Sequence, residues 1–424
     1  MAGITEKNNR VCIDDIPLAD IAGEYGTPCY VYSASVIRGQ YNALKNAMGK
    51  ALPSDKQPLL CYACKANTNI ALLKLLQTLG SGLEIVSEGE LAKGLKAGFS
   101  GDQIISTSFG KVDAEIKACL NAGIHQLNIE SVPELYHVDK VAGEMDKTAQ
   151  VVFRLNPNVT GGGHHKISTG RKRDKFGLSA ERILDIYKIA QELDHIEPVG
   201  LSVHIGSQVS NVAAFKPAFE KLADMVKTLR AQGYSVERLD IGGGFPIIYN
   251  DEKLLDLEEY ANWVRDIILP LDVEIQMEPG RYMVGNAGIL LSQATYIKET
   301  GERDFLVLDA GMNDLIRPTL YEAYHKIGPL DNLDRPQKTY DVVGPICESG
   351  DIFAENRNMP EIKGGEYAGI YSAGAYGFAM ASNYNTRPLP PEILVDGDKI
   401  SIIRQRQTIQ DIMKDETIPD WLDE

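Results

Sequence analysis

The sequence predicts an α/β protein: a (β/α)8 TIM barrel followed by a second, mainly antiparallel β domain. Three observations predict it. Between Pro58 and Pro279, short apolar and β-branched runs alternate with stretches of helical period, eight strands in all, which is the pattern of repeated βα units closing into a barrel. After Gly280 the texture changes to strand-like runs with few helical stretches between them. The length, 424 residues, is about three times the ~100–150 of a typical domain and accommodates both parts.

Taken in order, the opening segment contains Pro28-Cys29-Tyr30-Val31-Tyr32, a strand-like run that precedes a helix near 35–48 and is expected to pair with the later β domain. The barrel strands are predicted at 59–63, 83–86, 103–107, 126–129, 151–155, 200–205, 238–242 and 273–278, with helices such as 70–79, 180–193 and 213–232 between them. Strands of the second domain are predicted at 289–298, 305–309, 340–343, 367–371, 393–395 and 399–404. This divides the chain into a barrel over 35–285 and a β domain made of 1–34 and 286–424. The acidic end, 411–424, reads as a solvated tail or a short helix.

Composition narrows the function. Forty-three Lys and Arg against fifty-nine Asp and Glu leave a net charge of −16, which repels phosphate backbones and anionic lipid heads, so neither nucleic acid nor a membrane surface is an expected partner. No apolar run approaches the ~20 residues needed to span a bilayer, and the first residues lack the apolar stretch of a secretory signal. A cytoplasmic protein is expected. Six scattered cysteines lie mostly in strand-like runs, where a thiol packs as a small hydrophobe. Cys61 and Cys64 form a C-x-x-C, but an alternating strand would point them to opposite faces, so no metal or redox role is assigned to them.

Chemistry in such a barrel belongs where strands end and βα loops begin. Strand one ends in Cys64-Lys65-Ala66-Asn67, strand six in His204-Ile205-Gly206-Ser207-Gln208, strand seven in Gly242-Gly243-Gly244-Phe245 and strand eight in Glu278-Pro279-Gly280-Arg281. Lys65 follows an apolar strand, where desolvation makes an amine nucleophilic toward a carbonyl. Three successive glycines let the backbone approach an anion and point amide hydrogens at it, a phosphate cradle after strand seven. Glu278 can pair with a protonated ring nitrogen, and His204 can lie flat against an aromatic ring. Singly these read as a surface lysine, a tight turn, a rim ion pair and a core histidine. Together they supply the Schiff-base lysine, phosphate cradle and pyridinium partner that pyridoxal 5'-phosphate requires.

Longer blocks carry a resemblance. Tyr62-Ala63-Cys64-Lys65-Ala66-Asn67, His204-Ile205-Gly206-Ser207-Gln208, Glu278-Pro279-Gly280-Arg281, Asp309-Ala310-Gly311-Met312-Asn313-Asp314, Cys347-Glu348-Ser349-Gly350-Asp351 and Ser382-Asn383-Tyr384-Asn385 are similar, in this order, to the signature blocks of the diaminopimelate decarboxylase family. These are pyridoxal-phosphate decarboxylases with an alanine-racemase-like barrel and β domain. The resemblance implies that Lys65 holds the cofactor, that His204 stacks on its ring and that Glu278 binds the ring nitrogen. It further implies that Ser207, Gly243, Gly244, Gly280, Arg281 and Tyr376 line the phosphate and substrate region. Arg281, Arg317, Tyr321, Glu348 and Tyr376 are implied on the substrate, meso-diaminopimelate. The chemistry agrees, because a substrate with a carboxylate at each end calls for a second planar, bidentate cation, and Arg317 is the best candidate. Cys347 is implied as the proton donor, on a loop that in the family reaches into the neighbouring subunit's barrel, making a homodimer with shared sites. The implied reaction is decarboxylation to L-lysine and carbon dioxide, the last step of lysine biosynthesis.

Two other readings compete. A relative acting on ornithine, arginine or carboxynorspermidine would usually carry Cys-Asp rather than Cys-Glu-Ser in the late loop and would not need Arg317. A non-catalytic homologue would be expected to lose Lys65 or Cys347, and the chain has both. Two departures from the family pattern are visible. An acidic block usually reading Asp-x-x-Ser-Gly-Gly-Glu-Leu appears as Glu84-Ile85-Val86-Ser87-Glu88-Gly89-Glu90-Leu91, which leaves the geometry after strand two open. A second lies in His164-His165-Lys166-Ile167-Ser168-Thr169-Gly170, which reads as a loop over the site with no metal role for its histidines.

Overall fold

The computed structural model describes residues 3–159 and 176–422. The His164–Gly170 loop lies outside them. Two compact units divide the chain, Ile37–Val284 and Met1–Val36 with Gly285–Glu424.

The first unit is a closed barrel of eight parallel strands, Leu59–Ala63, Gly82–Ile85, Ile104–Ser106, Gln126–Ile129, Ala149–Arg154, Ile196–Ser202, Arg238–Gly243 and Glu274–Glu278. Neighbours in sequence are neighbours in space, and the eighth strand closes on the first through Gln276 opposite Leu59 and Met277 opposite Leu60. Strands shift from their predicted bounds where side chains capture backbone. Gln103 belongs to a 3-10 turn, Gly101–Gln103, because its side chain accepts from the Ser100 amide and the Ser100 hydroxyl. Strand six starts four residues earlier than the apolar pattern suggests, since it admits Glu197 and Pro198 at a register shift between Pro198 and Gly200.

The outer helices start and stop on recognisable residues. Asn69 caps Ile70–Thr78 by accepting from the Ala71 amide at 3.0 Å, and Ser179 caps Ala180–Ala190. After strands two and four the same device recurs. Ser87 accepts from the Glu90 amide while Glu90 accepts from the Val86 amide at 2.8 Å; Ser131 accepts from the Glu134 amide while Glu134 accepts from the Glu130 amide at 2.8 Å. The departure at Glu88 is thereby settled: it is exposed in the first turn of helix Glu88–Ala97, where an acid suits the helix dipole.

In the second unit, Cys29–Ser33 sits between Gly288–Glu299, with which it runs antiparallel, and Glu392–Asp396, with which it runs parallel. The opening strand therefore joins the later domain as the sequence predicts. The sheet continues through Asp304–Leu308, Gln337–Val343 and Ile352–Pro360, and antiparallel pairs dominate it. Its interior, Val31, Ile289, Leu291, Ile393 and Val395, is shared with Val11 and Ile13 from an N-terminal three-stranded sheet that sequence reading misses, and with Leu18 at the start of the helix Leu18–Tyr25 that follows it. The C-terminal residues carry a short helix, Ile409–Met413.

Candidate active site

Strands seven, eight and one lie side by side, so their ends place the glycine run, Glu278 and Lys65 along one arc of the barrel mouth. Gly243 pairs with Glu278 in register, and the Ala63 amide donates to the Pro279 carbonyl at 3.1 Å. Nothing larger than glycine fits here. A Cβ on Gly243 would come within 2.0 Å of the Glu278 carbonyl oxygen, and one on Gly244, whose φ is +94°, within 2.3 Å of the Gly206 oxygen. The run is tied down at its far end by Phe245, buried among Phe215, Tyr260 and Tyr282. It is also tied to the loop after strand six. The Gln208 amide donates to the Ile247 carbonyl at 2.7 Å and accepts from the Ile247 amide at 3.0 Å, and the Val209 amide donates to Gly244.

Lys65 Nζ donates to both oxygens of Glu84, at 2.9 and 3.1 Å, and Thr107 donates to the same carboxylate. Glu84 has no exposed surface. The contact favours the charged ammonium, opposite to the desolvated amine that the sequence suggests. Arg281 is nearly buried and points its guanidinium at Ser207 Oγ, 3.2 Å from Nη2, and at the Tyr249 hydroxyl, 2.6 Å from Nη1. Ser207 and Arg281 thus stand together beside the glycine run, and Gly280 packs against Ala63 and Ala66.

His204 is neutral. Burial pushes its pKa well below the ordinary imidazole value, and the charges of Arg154 and Lys65 push the same way. Its Nδ1 lies 3.6 Å from Glu278 Oε2, a distance that by itself suggests an ion pair. The same nitrogen accepts from the Gly243 amide at 3.3 Å, so it bears a lone pair and the contact is not ionic.

Glu278 belongs to a group of buried acids. Its Oε1 receives no hydrogen bond from a protein donor among the described residues. Burial first, then the nearby Asp240 and Glu84 charges, push its carboxyl well above the ordinary range. Asp240 is also raised by burial, but it accepts from the Gly242 amide at 2.9 Å and from Asn128 Nδ2 at 3.0 Å. Of the two, Asp240 has the donors that favour a carboxylate, and Glu278 is pushed further toward its protonated form. A cation against Oε1 would supply the missing partner and favour the carboxylate. The Gly242 and Gly243 amides are turned to Asp240 and His204, so the glycine run offers close backbone approach and not a row of free amides. An amine, that close-packed glycine turn with Ser207 and Arg281 beside it, a flat neutral ring and a buried acid whose Oε1 meets no protein donor among the described residues fit pyridoxal 5'-phosphate.

The β unit gathers the other blocks. Asp351 accepts from the Met312 amide at 2.6 Å and the Ile346 amide at 2.7 Å. The Cys347 amide donates to Asn385 Oδ1 at 3.0 Å, the Tyr384 hydroxyl donates to Glu348 at 2.8 Å, and the Ser382 amide donates to the Asn313 carbonyl. Three sequence blocks far apart in the chain meet in one place, and they leave the Cys347 side chain exposed. Arg317 opens the short helix Arg317–Tyr321 and is buried, its Nη1 2.8 Å from His325 Nε2. Tyr321 ends that helix, and Tyr376 has a positive φ of 55°. Cys61 and Cys64 are both buried free thiols, and burial raises both well above the ordinary thiol range.

Sequence reading misses Asp240, Asn128, Thr107 and Tyr249. For the first two a signal existed, since a polar residue between apolar neighbours in a barrel strand points inward to something. Tyr249 lies in an irregular loop and carried none.

Glu90 yields a test by pH. Burial chiefly, opposed by the Val86 amide, pushes its pKa up from 4.5 to about 7. The folded chain therefore holds a proton that the unfolded chain releases between those values, a stability contribution present below pH ~4.5 and lost as pH rises through ~7. Glu90→Gln is expected to flatten the fall in melting temperature of the cofactor-stripped protein between pH 5 and 8; an unchanged slope would count against a buried, proton-holding Glu90.

Comparison with known proteins agrees with this geometry. Residues 35–285 match the family described as pyridoxal-dependent decarboxylase, pyridoxal binding domain. The diaminopimelate decarboxylase of Vibrio cholerae is 39% identical over 414 residues, 97% of this chain and 98% of that protein. The Zymomonas mobilis enzyme of the same name is 40% identical over 98% of this chain and 99% of its own. A crystal structure of diaminopimelate decarboxylase from M. jannaschii in complex with L-lysine superposes with a TM-score of 0.94 at 34% identity, covering 99% of both chains. By fold, by the arrangement of its strand ends and by descent over its whole length, this chain belongs to the diaminopimelate decarboxylase family of pyridoxal-phosphate-dependent enzymes.

Proposed function

We propose that the chain decarboxylates meso-2,6-diaminopimelate to L-lysine and carbon dioxide, the last step of lysine biosynthesis, with pyridoxal 5'-phosphate at the barrel mouth. The observation that carries this is the adjacency of Lys65, Glu278 and the glycine run on neighbouring strand ends, with no donor to Glu278 Oε1 among the described residues. Bound pyridoxal phosphate supplies an electron-accepting ring.

The chain's own residues do the rest. Lys65 Nζ would hold the cofactor, and Glu84, which Lys65 contacts at 2.9 and 3.1 Å, would receive the lysine as an ammonium when it is released. Glu278 holds the proton of the ring nitrogen in place, and neutral His204 offers a flat face without adding charge. Gly243 and Gly244, with Ser207, Gly280, Arg281 and Tyr376, line the phosphate and substrate region. Arg317, with Arg281, Tyr321, Glu348 and Tyr376, binds the diamino acid, Arg317 taking the carboxylate that is kept. The bond from the α-carbon to the other carboxylate breaks, and a proton held on Cys347 Sγ replaces it on that carbon.

The exposed Cys347 on its anchored loop supports a homodimer in which this loop completes the partner subunit's site. A cytoplasmic setting is supported by the cysteines, all six free in the structure. A panel assay with diamino acids separates this reading from the ornithine, arginine and carboxynorspermidine alternatives: lysine released from meso-diaminopimelate alone supports it, and turnover of ornithine at a comparable kcat/KM counts against it.

Lys65→Ala is expected to remove the visible absorbance of the bound cofactor and abolish turnover, as no other strand-end block offers an amine. Arg317→Ala is expected to leave that absorbance unchanged and to raise KM for meso-diaminopimelate, at a cost on the order of 2–4 kcal/mol for a lost charge-assisted bidentate pair. Unaltered kinetics would make Arg317 structural. For the dimer, Lys65→Ala and Cys347→Ala proteins, each nearly inactive, are mixed under subunit exchange. About half the dimers become mixed, each with one intact site of two, so activity recovers to roughly a quarter of wild type. No recovery, with exchange verified by a tag, would place Cys347 in its own subunit's site.

A further inference from the structure

The geometry points to His325 as a positioning residue for substrate selection: a neutral imidazole that fixes the plane of the Arg317 guanidinium without neutralising it. This rests on the reading of Arg317 as the partner of the retained carboxylate.

His325 is fully buried, and both ring nitrogens are engaged. Nδ1 lies 2.8 Å from the Tyr371 carbonyl oxygen, and Nε2 lies 2.8 Å from Arg317 Nη1. A carbonyl only accepts and a guanidinium only donates, so the two contacts require a proton on Nδ1 and a lone pair on Nε2. The imidazolium would set N–H against N–H. The ring is itself fixed at the backbone, where Arg357 Nη1 donates to the His325 carbonyl at 2.7 Å while its guanidinium lies 4.1 Å from the Tyr324 ring centroid.

The choice of ring has a chemical consequence. An aspartate at this position would orient the guanidinium equally well and cancel its charge. A neutral acceptor takes one of five N–H donors and adds no negative charge of its own against the guanidinium. The bonds from Tyr371 through His325 to Arg317 thus preset the fork before substrate arrives, so that discrimination for a second carboxylate does not have to be assembled on binding.

The test compares His325→Leu, His325→Gln and Arg317→Ala holoenzymes. The leucine variant is expected to raise KM for meso-diaminopimelate about tenfold or more with kcat changed less than about threefold. Glutamine, whose amide oxygen can replace Nε2 as acceptor, is expected to restore most of that loss. Nitrogen-15 NMR of histidine-labelled holoenzyme, with His325 assigned by its absence from the glutamine variant, is expected to show a neutral ring protonated at Nδ1. A rise in KM for Arg317→Ala with none for His325→Leu would overturn the positioning role alone. An unchanged KM in Arg317→Ala would overturn both it and the substrate reading beneath it. If the leucine variant fails to fold, the tautomer decides: a ring protonated at Nε2, or a charged one, refutes the proposal.

Discussion

Glu84 has no surface in contact with water, and a carboxylate so placed persists only when cations and donors are built around it. Lys65 and Thr107 are those groups, and the place of the Lys65 amine follows from the buried acid it answers. The constraint then spreads around the barrel. Glu84, Asp240 and Glu278 form an acidic group in its interior that the protein compensates unevenly: Glu84 by a lysine, Asp240 by an amide and a carboxamide, Glu278 by no donor at Oε1. On the proposed function, the cofactor's ring nitrogen would sit against that Oε1.

Much of this was legible beforehand, because closed parallel strands must be apolar on both faces and so stand out as short hydrophobic runs. The ends of those runs located Lys65, His204, Glu278 and the glycines. What escaped has physical causes. Strand Ile352–Pro360 has Glu, Asn and Arg in its middle and an exposed face there, so no alternation marks it. The N-terminal strand Ile4–Lys7 buries only its first residue. Thr107 and Tyr249 reach their charged neighbours through hydroxyls that no periodicity predicts, and the acidic block at Glu84 could be seen only as a departure from a pattern.

The β unit solves a different problem. Its blocks lie on loops, which lack a ladder to hold them, and Asp351 replaces that ladder by binding two backbone amides on different loops. Burial raises the Asp351 carboxyl, and those two amides oppose the shift. Cys347 thereby stands on an organised loop, which the proton delivery proposed for it would require.

The side chain of Gln208 deserves a kinetic reading. By donating to and accepting from the same residue, Ile247, it forms a small two-bond ladder between the loop carrying His204 and Ser207 and the loop following the glycine run. Parting those loops breaks both bonds together, along with the one from Val209 to Gly244. The ring side and the phosphate side of the mouth are therefore not independent doors. A cofactor held as proposed, and leaving by either side, would have to open both, so the contacts that shape the mouth would also slow its escape.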